Sequence, residues 1–265
     1  MADPLDDIAY LVGSRNRVRV LRFLGAERAD RRTIHEETGI SRATLSRVLS
    51  GLEERGWITQ RGSECAITPI GELLVDEFTS FVDAVGTIQR LEGAIEYLQL
   101  DEIGVDLSHL RDAVITTPNQ HDPSATLRRA TELVREADEF RFLTNAVASP
   151  TAEALGEQTV RGELSFVGVI TDALFEAIRS SPEFSAMTRE MIESGRAEFY
   201  RYDGTVSQTL GLADGTLAVM TQIGGNGNLH AQIETDDKTV RQWVASTIEE
   251  HRPRAEPIPV EAFTG

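Results

Sequence analysis

Residues 34–58, IHEETGISRATLSRVLSGLEERGWI, read as two short helices, a tight turn between them and a descent into a strand. Thr38, Gly39 and Ile40 form the turn: glycine can take the positive φ that ends the first helix, and Ile40 closes the corner with an apolar side chain. Ser41 is a good N-cap for the second helix, along which Leu45, Val48, Leu49 and Leu52 recur at helical spacing. Arg42, Ala43, Ser46, Arg47 and Ser50 fall on the opposite face. That face is small, hydroxylated and positive, with no cluster of acids or nucleophiles. Low bulk, two guanidinium forks and several hydroxyls are what a helix entering the DNA major groove needs.

The flanking segments extend this pattern. Upstream, SRNRVRVLRFL predicts a helix packed beneath the pair, restarted at Ser14 after an earlier helical stretch. Asp30 is placed to cap the helix through Ile34, with Arg31 and Arg32 in its first turn, where free amides and guanidiniums suit a phosphate. Downstream, Gly56 stops the second helix, and WITQR and ECAIT read as strands joined at Gly62-Ser63, a wing anchored by Trp57, Ile58 and Ile67. Arg61 near the tip either meets the minor groove or a phosphate, or is simply solvated. The pattern predicts an α+β winged helix-turn-helix domain over residues 1–68. Arg42, Ala43, Thr44, Ser46 and Arg47 would read double-stranded DNA, Ser41 would cap the helix and touch phosphate, and Arg31, Arg32 and Arg61 would hold the backbone.

Charge is distributed to match. The 265 residues, 40% hydrophobic, suffice for two domains, and carry a formal charge of -17. Between residues 14 and 61 stand 11 arginines and no lysine against six acids, a local +5, which leaves -22 on the rest. Lys238 is the single lysine in the chain. Arginine on so acidic a background resembles salt-in haloarchaeal proteins, since at molar salt a Debye length of about 3 Å screens self-repulsion; an acidic mesophilic protein is the alternative. No stretch reaches the roughly 20 apolar residues of a membrane helix, and the acidic start MADPLDDIAY is unlike a signal peptide, so no membrane association and a cytoplasmic location are expected. Cys65, the only cysteine, lies in an alternating strand pattern and reads as a packing residue.

Residues 69–100 form one long helical pattern with apolar residues at 70, 73, 74, 78, 81, 82, 85, 88, 91, 95, 97 and 98. Such a connecting helix buries its stripe either within the chain or against a second copy, and the homodimer is favoured because winged-helix readers generally engage two half-sites. Residues 101–265 alternate strand and helix before ending in hairpins, a mixed α/β domain for an effector or for oligomerisation. Asp122 is expected to cap a helix with Pro123 at its first position, Asp236-Asp237 to open the last helix, GGNGN at 224–228 to be a hairpin loop, and RPRAEPIPVEAFTG to be an extended tail. GxGxxG, P-loop, GxSxG, HExxH and CxxC motifs are absent, and the five histidines show no metal spacing, so no cofactor, metal or catalysis is expected. For a small-molecule effector, the strand ends Thr116-Thr117, Thr144-Asn145 and Thr171-Asp172 are candidates, with Tyr200 and Tyr202 sharing one strand face. The same polar strand ends also serve as ordinary caps. A metabolite sensor acting mainly through oligomerisation, and more remotely an enzyme with an accessory DNA-binding domain, are the competing readings.

The segments TGISRATLSRVLSGLEERGWI and ITPIGELLVDEF, with DAVITTPNQHDPSATLRRATELVREAD, RFLTNAV, LGLADG and IETDDKTVRQWVASTIEEHR in the second half, give the chain a family likeness. It resembles haloarchaeal winged-helix regulators whose C-terminal domain is shared with a methanogen regulator of filament formation and methanogenesis genes. The helix-turn-helix part is of a kind common to ArsR- and MarR-like regulators. The resemblance implies a DNA-binding regulator with a C-terminal effector or oligomerisation domain, and names no ligand.

Overall fold

Ile34, Leu45, Leu49 and Leu52 are fully buried, and the first of two units assembles around them. In the computed structural model, which describes residues 3–95, 103–223 and 229–263, the chain divides into Met1–Asp83 and Ala84–Gly265. Helices α1 (Pro4–Val12) and α2 (Arg15–Ala26) lead into strand β1 (Ala29–Asp30), helices α3 (Arg31–Thr38) and α4 (Arg42–Glu54), and strands β2 (Ile58–Arg61) and β3 (Glu64–Ile67). Asp30 accepts the Thr33 amide at 2.8 Å to cap α3, and Ser41 accepts that of Thr44 at 3.4 Å to cap α4. Between them Gly39 sits at φ 65°, and His35 Nδ1 spans the turn to the Ile40 carbonyl at 2.6 Å. The strands pair in the order β1-β3-β2, and Arg61 opposite Glu64 leaves Gly62-Ser63 as a two-residue loop.

Helix α5 (Pro69–Ile95) begins beside this sheet. A Cβ on Gly71 would stand 2.0 Å from the Trp57 carbonyl oxygen, so the approach requires glycine. The helix does not carry one continuous buried stripe. Val75 and Phe78 enter the first core, Leu91 and Ala94 enter the second, and Ile70, Leu73, Phe81, Val82, Val85 and Ile88 are exposed. The expected continuation through residues 96–100 lies outside the described residues.

The second unit runs β4 (Val114–Thr116), α6 (Ala125–Glu136), β5 (Glu139–Thr144), α7 (Ser149–Arg161), β6 (Ser165–Thr171), α8 (Asp172–Ser180), α9 (Pro182–Glu193) and β7 (Ala197–Tyr202). It continues with β8 (Thr209–Ala213), β9 (Leu217–Ile223), β10 (Leu229–Thr235), α10 (Lys238–His251) and β11 (Glu256–Pro257). The sheet order is β11-β7-β6-β5-β8-β9-β10-β4. Strands β5, β6 and β7 are parallel because helices cross between them, whereas the others pair antiparallel. The whole is therefore mixed α and β. One sheet face, carrying Phe140, Phe142, Phe166 and Phe199 with neighbouring ring centroids 5.1–5.7 Å apart, packs against helices α6 to α9. The other face, with Leu210, Leu212, Met220 and Ile233, is covered by Val240, Val244 and Ile248 of α10. Asp214, the single non-glycine residue at positive φ among those described, accepts the amides of Asp138 and Glu139 at 3.0 and 2.8 Å, tying the β8–β9 turn to the start of β5.

Two local expectations are corrected. Helix α6 starts after Ser124, and Asp122 does not cap it; its carboxylate meets Arg128 at 2.5 Å instead, and that guanidinium holds it below the usual carboxylate range. The proline-rich tail is not merely extended: β11 joins the sheet edge beside β7, and Ile258 and Phe263 are buried, the Phe263 ring 5.7 Å from that of Phe175. Asp237 does open α10, accepting the amides of Thr239 and Val240 at 2.8 and 3.1 Å. The 224–228 loop lies outside the described residues.

Candidate functional site

Helix α4 buries Leu45, Val48, Leu49 and Leu52, which turns Arg42, Ala43, Ser46 and Arg47 to solvent, with Thr44 half-buried beside its cap. No hydrogen bond or ion pair ties the Arg42, Arg47 or Arg61 side chain to another described residue. The remaining arginines of this region are not equivalent. Arg31 donates to Gln60 Oε1 through Nε at 3.2 Å and a terminal nitrogen at 2.5 Å, and Gln60 in turn donates to Glu53 of α4. Arg32 pairs with Glu36 at 2.8 Å, one helical turn on. Arg19 donates to the Thr38 carbonyl at the end of α3, Arg22 to Thr79, and Arg17 and Arg55 lie on the Tyr10 ring at 3.8 and 3.6 Å. Several of the 11 arginines thus stitch elements together, and the uncommitted guanidiniums at the α4 surface are Arg42 and Arg47. Cys65 is buried, which pushes its thiol up, away from reactivity.

In the second unit the expected ligand contacts separate. Thr144 Oγ1 bonds Thr209 Oγ1 at 2.6 Å and faces a cavity between the sheet and helices α6 to α9. Asn145 donates to the Val206 carbonyl at 2.6 Å, and Thr171 caps α8 through the Leu174 amide. Asp172 forms an ion pair with Arg201 at 2.5 Å, aligned too poorly for a hydrogen bond. Tyr200 and Tyr202 lie on the opposite sheet face, where Tyr200 is bonded to Glu198 and Arg252 and Tyr202 stacks edge-on to His251. Thr116 merely ends the edge strand β4.

The cavity measures about 330 Å³. Among the described residues its wall is aliphatic and aromatic apart from six hydroxyls and one amide, with no Asp, Glu, Lys, Arg or His. Thr209, Thr221 and Gln232 supply polar groups from three antiparallel strands. Their signal in the sequence is faint: isolated polar residues in the largely apolar strands TLGLA, LAVMTQI and LHAQIET. Gln232, 1% exposed, accepts from Thr221 at 3.4 Å and donates to Glu234 at 2.9 Å. Glu234, 4% exposed, accepts Arg129 of α6 in fork geometry at 2.7–3.1 Å, and Arg129 also reaches Glu136. The Glu234 carboxylate raises the Arg129 pKa above its ordinary value, so the guanidinium stays charged.

Residues 5–90 match the family model of the HVO_A0261 N-terminal domain, and residues 123–254 that of the middle domain of the methanogenesis regulatory protein FilR1. In its domain make-up the chain is similar to an archaeal regulatory protein. No curated protein matches. Among solved structures, the archaeal chromatin protein TrmBL2, described as showing a novel mode of DNA binding, is 14% identical with a TM-score of 0.40, over 96% of this chain and 99% of that one. The phospholipase D family member Nuc from Salmonella typhimurium is 10% identical with a TM-score of 0.44, over 55% of this chain and 98% of that one. NucT from Helicobacter pylori is 10% identical with a TM-score of 0.41 and the same coverage. Among the described residues no helix is long and apolar enough to cross a membrane.

Proposed function

We propose that the chain is a sequence-specific, dimeric transcription regulator of the cytoplasm whose first unit is a winged helix-turn-helix and whose second unit responds to a small molecule. The observation that carries the DNA-binding part is the outward face of α4, where Arg42 and Arg47 are exposed and uncommitted on a capped helix behind a glycine turn. In this reading Arg42, Ala43, Thr44, Ser46 and Arg47 meet base edges, and Ser41 and Arg61 meet phosphate. Arg31 and Arg32 reach the backbone only by exchanging Gln60 and Glu36 for phosphate oxygens. They therefore contribute less than their charge suggests.

Dimerisation is supported by Leu73 and Phe81 of α5, 69% and 60% exposed, with Leu5, Ile8 and Val12 of α1 also uncovered. The acidic remainder of the chain suits concentrated salt, where groove contacts outweigh bulk phosphate attraction. Genome-wide mapping of bound DNA, followed by titration of the best site at several salt concentrations, tests the reading. The expected result is saturable binding of discrete sites by a dimer in sedimentation. Binding that is equal on all sequences, or no binding at any salt, overturns it.

A further inference from the structure

The sensing half of the proposed function leaves the effector unnamed, and the cavity constrains its chemistry. We propose that the space between the sheet of the second unit and helices α6 to α9 binds an uncharged, largely hydrocarbon molecule carrying one oxygen-bearing head group, seated against Thr209, Thr221 and Gln232. This rests on the sensing reading and is independent of DNA binding.

Three observations converge on that class. The first is size. Protein cores interdigitate with few gaps larger than a water molecule, and about 330 Å³ lies in the range of small-molecule sites. The second is the lack of charge. A phosphate, carboxylate or ammonium entering this wall would lose its hydration with no counter-ion, because the nearby cation, Arg129, is already held by Glu234 and Glu136. Sugars fit no better, since a ring of hydroxyls would meet mainly Phe, Leu, Val and Ala. The third is the polar end. Thr209, half-buried, donates to Thr144 and can accept from a ligand hydroxyl, and the buried Thr221 can turn from its long bond to Gln232 to donate to a ligand oxygen, while aromatic and aliphatic side chains surround the rest. The rim on α8 and α9 includes Ala177, Ile178, Phe184 and Met187, which are exposed or half-buried; methionine and phenylalanine there can adapt to a flexible chain.

The head-group end also offers a route outward. A ligand oxygen that takes the Thr221 proton releases Gln232 Oε1, and Gln232 is bonded to Glu234, which holds Arg129 on α6. Occupancy is thereby read at α6 through consecutive hydrogen bonds.

The test uses the purified full chain with 1-alkanols from hexanol to tetradecanol, followed by thermal unfolding and calorimetry. Alkanoates and alkyl phosphates of equal length, and glucose 6-phosphate, form the charged and hydrophilic arms. Affinity for the alkanols is expected to rise about fourfold per methylene, the factor equivalent to about 0.8 kcal/mol, until the cavity is filled, and then to fall. Charged analogues are expected to bind at least tenfold more weakly. Ala130→Phe, which projects into the cavity, should abolish binding; should that variant not fold, Thr221→Val should cost about tenfold in alkanol affinity. No saturable binding of any alkanol, equal or tighter binding of the charged series, or unchanged affinity in the variants overturns the proposal. A chain carrying Arg42→Ala and Arg47→Ala should keep alkanol binding while losing its operator, which separates the two readings. Alkanol binding that leaves operator affinity unchanged supports the ligand class and overturns the sensing reading.

Discussion

The outward face of α4 and the cavity of the second unit are built from similar small hydroxylated and apolar residues, yet they treat charge in opposite ways. On α4 the guanidiniums of Arg42 and Arg47 stand in water, where an unpaired charge costs little and remains available for a phosphate or a guanine edge. Around the cavity charge is kept out of the wall, and where it comes near, at Arg129 and Glu234, it is paired and hydrogen-bonded. Solvent exposure decides which chemistry each region can offer. The surface suits a polyanion, and the interior suits a neutral, apolar molecule.

This contrast can be broken most severely at its buried charge. Arg129→Met leaves the buried Glu234 carboxylate without its counter-ion and is expected to destabilise the second unit by about 3–5 kcal/mol, with Glu234→Ala in the same chain restoring part of the loss. Urea unfolding of the single and double variants measures this; a loss below about 1 kcal/mol would mean that the pair is solvated and that the interior tolerates charge. Next in size is a packing test in the first unit. Gly71→Ala places a carbon against the Trp57 carbonyl oxygen and should cost about 3 kcal/mol.

At the exposed surface the expected pattern reverses. Arg47→Ala should leave the unfolding midpoint within about 0.5 kcal/mol of the parent, yet remove about 1–3 kcal/mol of discrimination at one base pair in a titration at matched salt. If stability falls and specificity does not, Arg47 is part of the scaffold. The smallest effect concerns acid. Thr33 amide and hydroxyl bonds lower the Asp30 pKa; burial opposes ionisation of Asp237, but the Val240 and Thr239 amides and the His109 ring together hold its carboxyl below the usual range. Because the folded values lie below the unfolded ones, both caps stabilise the fold above about pH 4, and that contribution vanishes as the pH drops through the depressed values. Unfolding followed from pH 6 to pH 2 should show the Asp237→Asn chain losing less stability than the parent over that window.

The helix and turn signals around residues 30–67 were readable because each depends on near neighbours. Asp30 and Ser41 cap within three residues, Gly39 takes its φ locally, and Gly62-Ser63 joins strands that are adjacent in the chain. Asp122 shows the limit: it has the composition of a cap, but a better partner, Arg128, lies a turn and a half further on. The stripe of α5 is divided in the fold because periodicity reports one helix face and not the two different cores that share the helix. The expected ligand contacts are separated for a related reason. Tyr200 and Tyr202 do share a face, but sheet register puts that face under α10, away from the cavity.

The sequence by itself determined the order of helices and strands, the capped α4 with its outward arginines and the concentration of positive charge in the first unit, since these follow from spacing and composition along the chain. Only the tertiary structure decided which arginines remain uncommitted and which polar residues meet in the second unit. Arg31 finds Gln60 29 residues away, and Arg129 finds Glu234 105 residues away. Thr144, Thr209, Thr221 and Gln232 converge because four strands are neighbours in the sheet. Pairings of that kind are set by strand order and burial, and those are properties of the folded chain.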